Sequence, residues 1–236
     1  MTTADTAARA GGVRRSRWLA AGLWVCAVLA IASAPWALAM PALNFVFKPL
    51  ATLCVIAYAA GRGAASGADA VLRRWVLAGL WLSLAGDVAL LWPQKGFLPG
   101  LVSFLLAHLC YLVAFTRRQR LADWWPAFAA YALVAGVILW RLWPGVPGAL
   151  QAPVIAYVLC LATMAAQAAV LWRRGEARGL VLAMGGALFV VSDALLATNK
   201  FAGPLPLANL WILTSYWAAQ WCIASWLAPR HLATRA

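Results

Sequence analysis

Eight apolar stretches, each about 20 residues long, follow one another along this chain with only short connections between them. That length suits an α-helix crossing the hydrocarbon core of a bilayer, whereas a strand of a membrane barrel is about half as long and alternates polar with apolar residues. The sequence therefore predicts an all-α, polytopic transmembrane helical bundle in one domain, residues 18–228, between an N-terminal tail, 1–17, and a C-terminal tail, 229–236. The eight predicted spans are 18–34, 44–61, 71–92, 98–116, 124–142, 150–172, 179–198 and 207–228.

The overall composition agrees with a chain that lipid solvates. Of its 236 residues, 65% are hydrophobic and 11% are charged, whereas soluble domains carry about 25% charged residues. A soluble core of this size cannot hide so much apolar surface from water. No polar segment is long enough to separate a soluble domain from the membrane part.

The positive charges alternate between the two sides of the predicted spans. The formal net charge is +13, and 15 of the 19 Lys and Arg residues fall in the two tails and in every second connection. Cytoplasmic connections of membrane proteins carry such an excess, so both ends of the chain are predicted to be cytoplasmic. The expected partners of these side chains are anionic membrane lipids rather than nucleic acid. No organelle signal is visible, which favours the inner membrane of a bacterium.

Tryptophan residues mark the two predicted membrane surfaces. Near the inner ends of the spans stand Trp18, Trp75, Trp124, Trp125, Trp172 and Trp226, and near the outer ends stand Trp36, Trp92, Trp143 and Trp211. Tryptophan is enriched at headgroup level on both sides of a bilayer. We therefore interpret these residues as membrane anchors and not as parts of a ligand site.

The first span allows a second interpretation. Arg14, Arg15 and Arg17 precede an apolar run, and the Ala-Leu-Ala sequence at 37–39 resembles a signal-peptidase site. Cleavage there would leave seven spans and an N-terminus on the outer side. The orientation of the other spans is the same in both interpretations.

The cysteines give no sign of a metal site or a disulfide. All of them lie within predicted spans and no two have the spacing of metal ligands; they are Cys26, Cys54, Cys110, Cys160 and Cys222. A thiol in apolar surroundings stays protonated, so we interpret these residues as small packing residues. One histidine and two aspartates on three different spans also make a weak metal signature. The sequence therefore predicts neither a metal nor a cofactor.

Four ionisable side chains fall inside the predicted spans. They are Lys48, Asp87, His108 and Asp193. With a rise of about 1.5 Å per residue, the lysine and both aspartates lie roughly 6–8 Å below the outer edge of the apolar zone, and the histidine lies roughly 15 Å deep. Charged groups inside a membrane are costly and mark functional sites by default. The outer half of the bundle is therefore the predicted functional site.

The two halves of the chain show a weak internal repeat. The matching pairs are Lys48-Pro49 with Ala152-Pro153, and Gly86-Asp87 with Ser192-Asp193. Both halves begin on the same side, so the repeat would be parallel, four spans plus four. A pseudo-twofold axis along the membrane normal could then bring the two aspartates together. Chance similarity between apolar helices is the competing explanation.

Each of these polar residues also has a purely structural interpretation. Either intramembrane aspartate could pair with Lys48 only to hold helices together. His108 could be an interior residue that hydrogen bonds satisfy. Tyr216 and Gln220, at intermediate to middle depth in the eighth span, could simply bridge helices.

The same residues stand in motifs that resemble those of the YhhN-like lysoplasmalogenase family of multi-pass membrane hydrolases. In chain order the matching elements are residues 47–50; Gly86-Asp87 with Leu90-Leu91; Phe97, Gly100-Leu101 and residues 104–109 with Tyr111; Tyr157 with Met164; residues 185–189 with Ser192-Asp193 and Leu195-Leu196; Lys200-Phe201; and Tyr216 with Ala219-Gln220. The resemblance covers about residues 45–225, which contain spans two to eight. Single pieces such as Gly-Asp are common, whereas the ordered set is specific.

The resemblance implies hydrolysis of the vinyl ether bond of a lysoplasmalogen to a fatty aldehyde and a glycerophospho-base. A vinyl ether hydrolyses by protonation of its β-carbon to an oxocarbenium ion, which water then captures. Such a site needs a well-placed acid and a negative group facing the cation, and two carboxyls in low dielectric supply both, since one of them keeps a proton. Asp87 and Asp193 are the predicted catalytic residues, one as the general acid and the other stabilising the cation and orienting water. The sequence leaves open which is which.

The remaining polar residues of the spans are predicted to contact a lysophospholipid. Lys48 would bind the phosphate or hold one aspartate ionised, and Asn199 and Lys200 would meet the headgroup near the outer surface. The others would shape the pocket and hydrogen-bond water or the glycerol hydroxyl. The complete set of predicted substrate-binding residues is Lys48, His108, Ser192, Asn199, Lys200, Tyr216 and Gln220.

Two other functions remain open at this stage. A proton-coupled secondary transporter could use paired intramembrane carboxylates to bind its ion, and it would show spans broken at matching places in both halves. Proline residues instead stand near the ends of the predicted spans. A purely structural membrane protein would have no use for the polar cluster.

Overall fold

The computed structural model describes residues 3–34, 37–63, 67–92 and 94–228. Over these residues the chain forms eight α-helices and a short 3₁₀ turn, with no β-strand, which confirms the predicted all-α fold class. The helices are α1 Thr3–Ala32, α2 Pro41–Ala60, α3 Gly67–Ala89, α4 Phe97–Thr116, α5 Trp125–Leu142, α6 Gly148–Arg173, α7 Gly179–Phe201 and α8 Ala208–Trp226, and the 3₁₀ turn is Trp143–Gly145. Trp36 and the C-terminal tail, 229–236, lie outside the described residues, so the predictions for them stay predictions.

Most of the helices have the length and apolarity of membrane spans. Within the described residues, α2, α4, α5 with the following 3₁₀ turn, α6 and α7 are long and apolar enough to cross a membrane. The N-terminal helix contributes a shorter apolar segment, Ser16–Ala32, although α1 itself begins at Thr3. The other two helices, α3 and α8, bury polar residues on faces that pack inside the bundle. Such helices do not need to be apolar on all sides.

The helix contacts follow the predicted four-plus-four repeat. Helices adjacent in sequence pack together within each half: α1 with α2, α2 with α3, α3 with α4, and likewise α5 with α6, α6 with α7, and α7 with α8. The contacts that join the halves include α2 with α8, α4 with α6, α1 with α8 and α3 with α8. Advancing every helix by four positions converts the α2–α8 contact into the α4–α6 contact, as a pseudo-twofold axis requires.

Hydrogen bonds at the predicted inner end repeat in the same way. The Arg62 guanidinium Nε donates to the carbonyl of Leu227, 2.8 Å away, just beyond α8. In the other half the Gln167 amide donates to the carbonyl of Gln119, 3.0 Å away, just beyond α4. Each bond satisfies a carbonyl that has lost its partner at a helix end. The chain is thereby tied at corresponding places in both halves.

Close helix packing also repeats, through glycine. A Cβ atom at Gly79 of α3 would lie 2.3 Å from the Tyr111 ring of α4, and one at Gly185 of α7 would lie 3.0 Å from the Cys222 Cβ of α8. Only a residue without a side chain lets these helices approach so closely. The α3–α4 and α7–α8 pairs therefore hold their polar residues in similar positions.

The prolines of the repeat lie inside helices and not at their starts. Pro49 belongs to the interior of α2 and Pro153 to the interior of α6, because the two helices begin earlier than the predicted spans. Each proline lacks the backbone N–H that would bond the carbonyl one turn earlier. The expectation that these prolines stand at helix ends is wrong, but both helices continue through them.

Candidate active site

Asp87 lies at the centre of a buried ion-pair cluster. Asp87 is 1% exposed, and its Oδ2 atom accepts hydrogen bonds from Thr52 Oγ1 at 2.6 Å and from Tyr216 OH at 2.7 Å. The Lys48 Nζ atom lies 3.6 Å from Oδ1. α2, α3 and α8 thus each contribute to one site. The two hydroxyls and the ammonium group each stabilise a charge on this carboxyl and so offset part of the cost of burying it.

A chain of hydrogen bonds extends this cluster towards the middle of the bundle. Gln220 Nε2 donates to Tyr216 OH at 3.2 Å, and Tyr111 OH donates to Gln220 Oε1 at 2.7 Å. Trp217 Nε1 donates to Thr52 Oγ1 at 3.2 Å. All of these side chains are buried. They fix the side chains around Asp87 in one arrangement.

Asp193 has different surroundings, although it occupies the equivalent position in the second half. Tyr157 OH of α6 donates to its Oδ2 atom at 2.5 Å. Where the first half has Lys48, the second half has Ala152, and no ion pair involves Asp193 among the described residues. The carboxyl is partly exposed, and the space it faces is an internal cavity.

The cavity lies between α4, α5, α6 and α7, at the end of the bundle that is predicted to be outer. Its volume is about 100 Å³, and it is partly open at the surface. Among its 21 lining residues only Tyr131, Tyr157 and Asp193 have polar side chains, and the others are aliphatic or aromatic. A cavity of this character suits an apolar group that lies beside a single carboxyl.

One helix, α5, closes the cavity only loosely. It packs on α6 and touches α7, but its contact with α4 is at most marginal. In the first half the equivalent helix, α1, does pack on α8. The backbones of α4 and α5 therefore make fewer close contacts than those of α8 and α1, and the cavity lies between α4 and α5.

A lysine and two phenylalanines stand at the outer end of the cavity. The exposed Lys200 places its Nζ atom 5.0 Å from the centroid of the Phe97 ring. Phe97 in turn packs edge-to-face against Phe201, with ring centroids 5.8 Å apart, and both rings line the cavity. A cation is thus held at the boundary between the cavity and the surroundings.

His108 lies in the interior, next to Tyr111 of the Asp87 cluster and to Tyr157, the partner of Asp193. It is 0% exposed, and neither ring nitrogen has a hydrogen-bond partner. Its ring centroid is 4.9 Å from that of Phe189, 5.4 Å from that of Tyr157 and 6.4 Å from that of Tyr111. It is not among the residues that line the cavity.

The remaining two predicted binding residues hold helices and loops in place. Ser192 Oγ donates to the carbonyl of Ile212 at 3.1 Å and so joins α7 to α8. Asn199 Oδ1 accepts from the Leu205 N–H at 2.9 Å and so orders the connection between these helices. Neither side chain lines the cavity.

The structure therefore separates the residues that the sequence grouped into one site. Lys48, Tyr216 and Gln220 surround Asp87, which does not line the cavity, whereas Asp193 does. No hydrogen bond joins the two carboxyls among the described residues. The two acids therefore do not line one common cavity, although the sequence analysis paired them as the general acid and the group that stabilises the cation.

The predicted set of site residues does not include two side chains that hydrogen-bond to the aspartates. Thr52 and Tyr157 each donate to one carboxyl, and they stand 105 residues apart, as the repeat requires. Each follows the matched proline of its helix by about one turn. That position in both halves is the signal that could have identified them.

The fold is that of an α-helical integral membrane protein, and it contains an apolar cavity with one carboxyl in its wall. A sequence model described as the YhhN family matches residues 43–227. The chain belongs to the YhhN family, as its motifs indicated.

Several relatives are similar to this chain over half of its length or more. Lysoplasmalogenase TMEM86B of Sus scrofa is 35% identical over 214 residues, which cover 86% of this chain and 83% of the relative. Lysoplasmalogenase TMEM86B of Homo sapiens is 38% identical over 143 residues, 58% of this chain and 56% of the relative. The lysoplasmalogenase of Mycobacterium tuberculosis is 32% identical over 139 residues, 55% of this chain and 51% of the relative. No solved structure gives a significant match.

Proposed function

We propose that this protein is a lysoplasmalogenase, which hydrolyses the vinyl ether bond of a lysoplasmalogen to a fatty aldehyde and a glycerophospho-base. The observation that carries the proposal is the apolar cavity with one carboxyl, Asp193, in its wall. The names of the relatives support hydrolysis rather than proton-coupled transport. An ether-linked lipid with a single chain has the shape and polarity that this cavity accepts.

Asp193 is the general acid in this proposal. Its only hydrogen-bond donor among the described residues is Tyr157, no cation faces it, and the rest of the cavity wall is almost wholly apolar. An uncompensated charge is costly in such surroundings, which favours the protonated carboxyl. Asp87, with Lys48 and two hydroxyl donors, is in the opposite situation. The two environments make one carboxyl a proton donor and keep the other charged.

The reaction then proceeds in three steps. The proton of Asp193 moves to the β-carbon of the vinyl ether, where the π electrons form the new C–H bond and leave a cation shared by the α-carbon and the ether oxygen. The carboxylate that remains faces this cation and stabilises it. Water adds to the α-carbon and returns a proton to Asp193. The resulting hemiacetal breaks its bond to the glycerol oxygen, which takes up the hydroxyl proton, to give aldehyde and alcohol.

The Asp87 cluster positions the walls of the site instead of reacting. Tyr216 donates to Asp87, and its ring packs edge-to-face on Phe104, with centroids 5.8 Å apart. Phe104 lines the cavity. Lys48, which is only 7% exposed and paired with the carboxylate, anchors this cluster and does not reach the headgroup.

The substrate lies with its chain among the apolar residues and its phosphate at Lys200. This lysine follows Asp193 by seven residues on α7, about 10 Å along the helix axis, which is on the order of the span from a vinyl ether to the phosphate. With both chain ends cytoplasmic and the cavity in the outer half, the lipid enters between α4 and α5 from the non-cytoplasmic leaflet. In this proposal the membrane is the inner membrane of a bacterium.

The direct test uses the purified protein in detergent micelles with three lipids that share one headgroup. We expect aldehyde from the 1-alkenyl lysophospholipid and no turnover of the 1-alkyl analogue, because a saturated ether has no carbon that can accept the proton. The third lipid, a 1-acyl lysophospholipid, should also be left intact. Release of fatty acid from it at a comparable rate would point to an esterase and contradict the proposal.

Replacing Lys200 by Ala should weaken substrate binding more than it slows the reaction. We expect KM to rise about tenfold and kcat to stay within about twofold, because the lysine binds a phosphate that does not react. Lys95→Ala, which removes another exposed cation of the same end, is the matched control and should leave both constants unchanged. The increase in KM should disappear with a 1-alkenyl glycerol that lacks the phosphate. Equal KM values for the two variants with the phospholipid would exclude Lys200 as the headgroup site.

A further inference from the structure

The imidazole of His108 is a fully buried polar group without partners in an otherwise bonded interior. Its Nδ1 and Nε2 atoms make no hydrogen bond, although a neutral histidine has one donor and one acceptor. The ring packs among Phe189, Tyr157 and Tyr111 and is sealed from the surroundings. Buried polar groups nearly always have a protein or water partner. The unpaired nitrogens therefore indicate a position where a small polar molecule binds.

The internal repeat shows why this polar side chain lacks the hydrogen bond that its counterpart makes. Asp87, the aspartate of the first half, accepts a hydrogen bond from Tyr216 of α8. For Asp193 the helix that corresponds to α8 is α4. Phe104 lies against Gly86 as Ile212 lies against Ser192, and this match of α4 with α8 pairs His108 with Tyr216. A histidine side chain is shorter than a tyrosine side chain and does not bond Asp193. Asp193 therefore has one hydroxyl donor, Tyr157, where Asp87 has two.

We propose that His108 holds the water molecule that captures the oxocarbenium ion. This inference rests on the proposed lysoplasmalogenase function and assigns the source of the second reactant. The lining of the cavity is apolar except for Asp193, Tyr157 and Tyr131, so it offers a water molecule few other partners. His108 lies directly behind Tyr157, whose hydroxyl bonds Asp193. His108 does not itself line the cavity, but it stands one helical turn after Phe104 and packs on Tyr157, and both of these side chains line it.

The chemical step balances without any further reactant. After Asp193 has given its proton to the β-carbon, the water molecule donates one hydrogen bond to the unprotonated nitrogen of His108 and the other to the Asp193 carboxylate. Its oxygen lone pair forms the bond to the α-carbon while the proton on the carboxylate side moves to Asp193. His108 stays neutral throughout. It orients the water and prevents it from drifting into the apolar part of the cavity.

The test measures protonation and water capture separately, by turnover in D₂O. Wild-type protein should release aldehyde carrying deuterium at its C2 carbon, while the recovered lysoplasmalogen stays unlabelled because capture is faster than reversal. In His108→Phe, which keeps a ring of similar shape but cannot hold water, turnover should fall by about 10²-fold. The acid is intact in this variant, so protonation should still occur and reverse. Deuterium should therefore enter the vinyl β-carbon of the recovered substrate.

Two further variants complete the experiment. His108→Gln keeps a polar group that can bind water and should turn over at a rate between those of the wild type and His108→Phe. Leu109→Ala changes the neighbouring, lipid-facing residue of α4 and should behave like the wild type. The thermal unfolding temperature of each variant, measured in the same detergent, establishes that it is folded. If His108→Phe is not folded, the same labelling of recovered substrate is expected, to a smaller extent, in His108→Gln.

The outcomes distinguish this inference from the function on which it rests. Loss of turnover in a folded His108 variant without label in the recovered substrate would overturn the role of His108 and leave the hydrolase intact. Wild-type turnover in His108→Phe would overturn it as well. If the wild-type protein forms no aldehyde at all, the proposed function is wrong, and the inference falls with it.

Discussion

Replacing Asp193 by Asn should reduce aldehyde production by at least about 10²-fold, because the amide cannot donate a proton to carbon. The change is nearly isosteric and removes no ion pair, so we expect the protein to fold normally and to bind lipid. The rate is measured as aldehyde released from a 1-alkenyl lysophospholipid by purified protein. Binding is measured separately with the unreactive 1-alkyl analogue, whose Kd should change little.

Tyr157→Phe is the matched control for the Asp193 variant. It removes the hydroxyl that donates to the carboxyl but leaves the acid in place, so its effect on kcat should be much smaller than that of Asp193→Asn. An Asp193→Asn protein with kcat near that of the wild type would refute the assignment of the acid. Asp87 would then become the candidate, although it does not line the cavity.

Replacing Lys48 by Met should lower the free energy of unfolding by about 3–5 kcal/mol, because it leaves the Asp87 carboxylate buried without its cation. In the double variant Lys48→Met/Asp87→Asn we expect a large part of this loss to be recovered. Removing both charges also removes the cost of burying them, so the strong non-additivity identifies the pair as coupled. The measurement is reversible unfolding of the purified protein in mixed micelles of mild and denaturing detergent.

An ion pair at the bundle surface provides the comparison for Lys48 and Asp87. The Arg174 Nε atom lies 2.6 Å from Asp123 Oδ2, and the two side chains are 47% and 30% exposed. Water screens such a pair, so Arg174→Met should cost no more than about 1 kcal/mol. If Lys48→Met costs no more than Arg174→Met, or if the double variant recovers nothing, Asp87 is not an ionised partner of Lys48.

The sequence predicted the fold well because a membrane imposes simple constraints. Spans of about 20 apolar residues gave the number of helices and their approximate positions, and the matched pairs around Pro49 and Pro153 indicated the repeat that the helix contacts follow. Helix ends were predicted less well. α1 begins at Thr3 and α2 at Pro41, both before the apolar stretches, because a helix does not have to end where its apolarity ends.

The sequence also predicted a set of polar residues in the outer half of the bundle, but it did not predict which of them contact Asp87 and which lie at the cavity with Asp193. Lys48, Asp87 and Asp193 fall at one depth because depth follows from the position along a span. Depth does not determine which way a side chain points around its helix, or which helices are neighbours. The pairing of Lys48 with Asp87, and the placement of Asp193 alone in an apolar wall, therefore could not be derived from the spacing.

By itself the sequence determined an eight-helix membrane bundle, a pattern of repetition between its two halves, and a set of polar residues too costly to be present without a purpose. Only the tertiary structure decided that α2, α3 and α8 neutralise one aspartate while α4 to α7 leave the other at a cavity. The physical reason is that the protonation and reactivity of a carboxyl depend on the groups within a few ångströms of it. Those groups come from helices that are distant in sequence and are brought together only by packing.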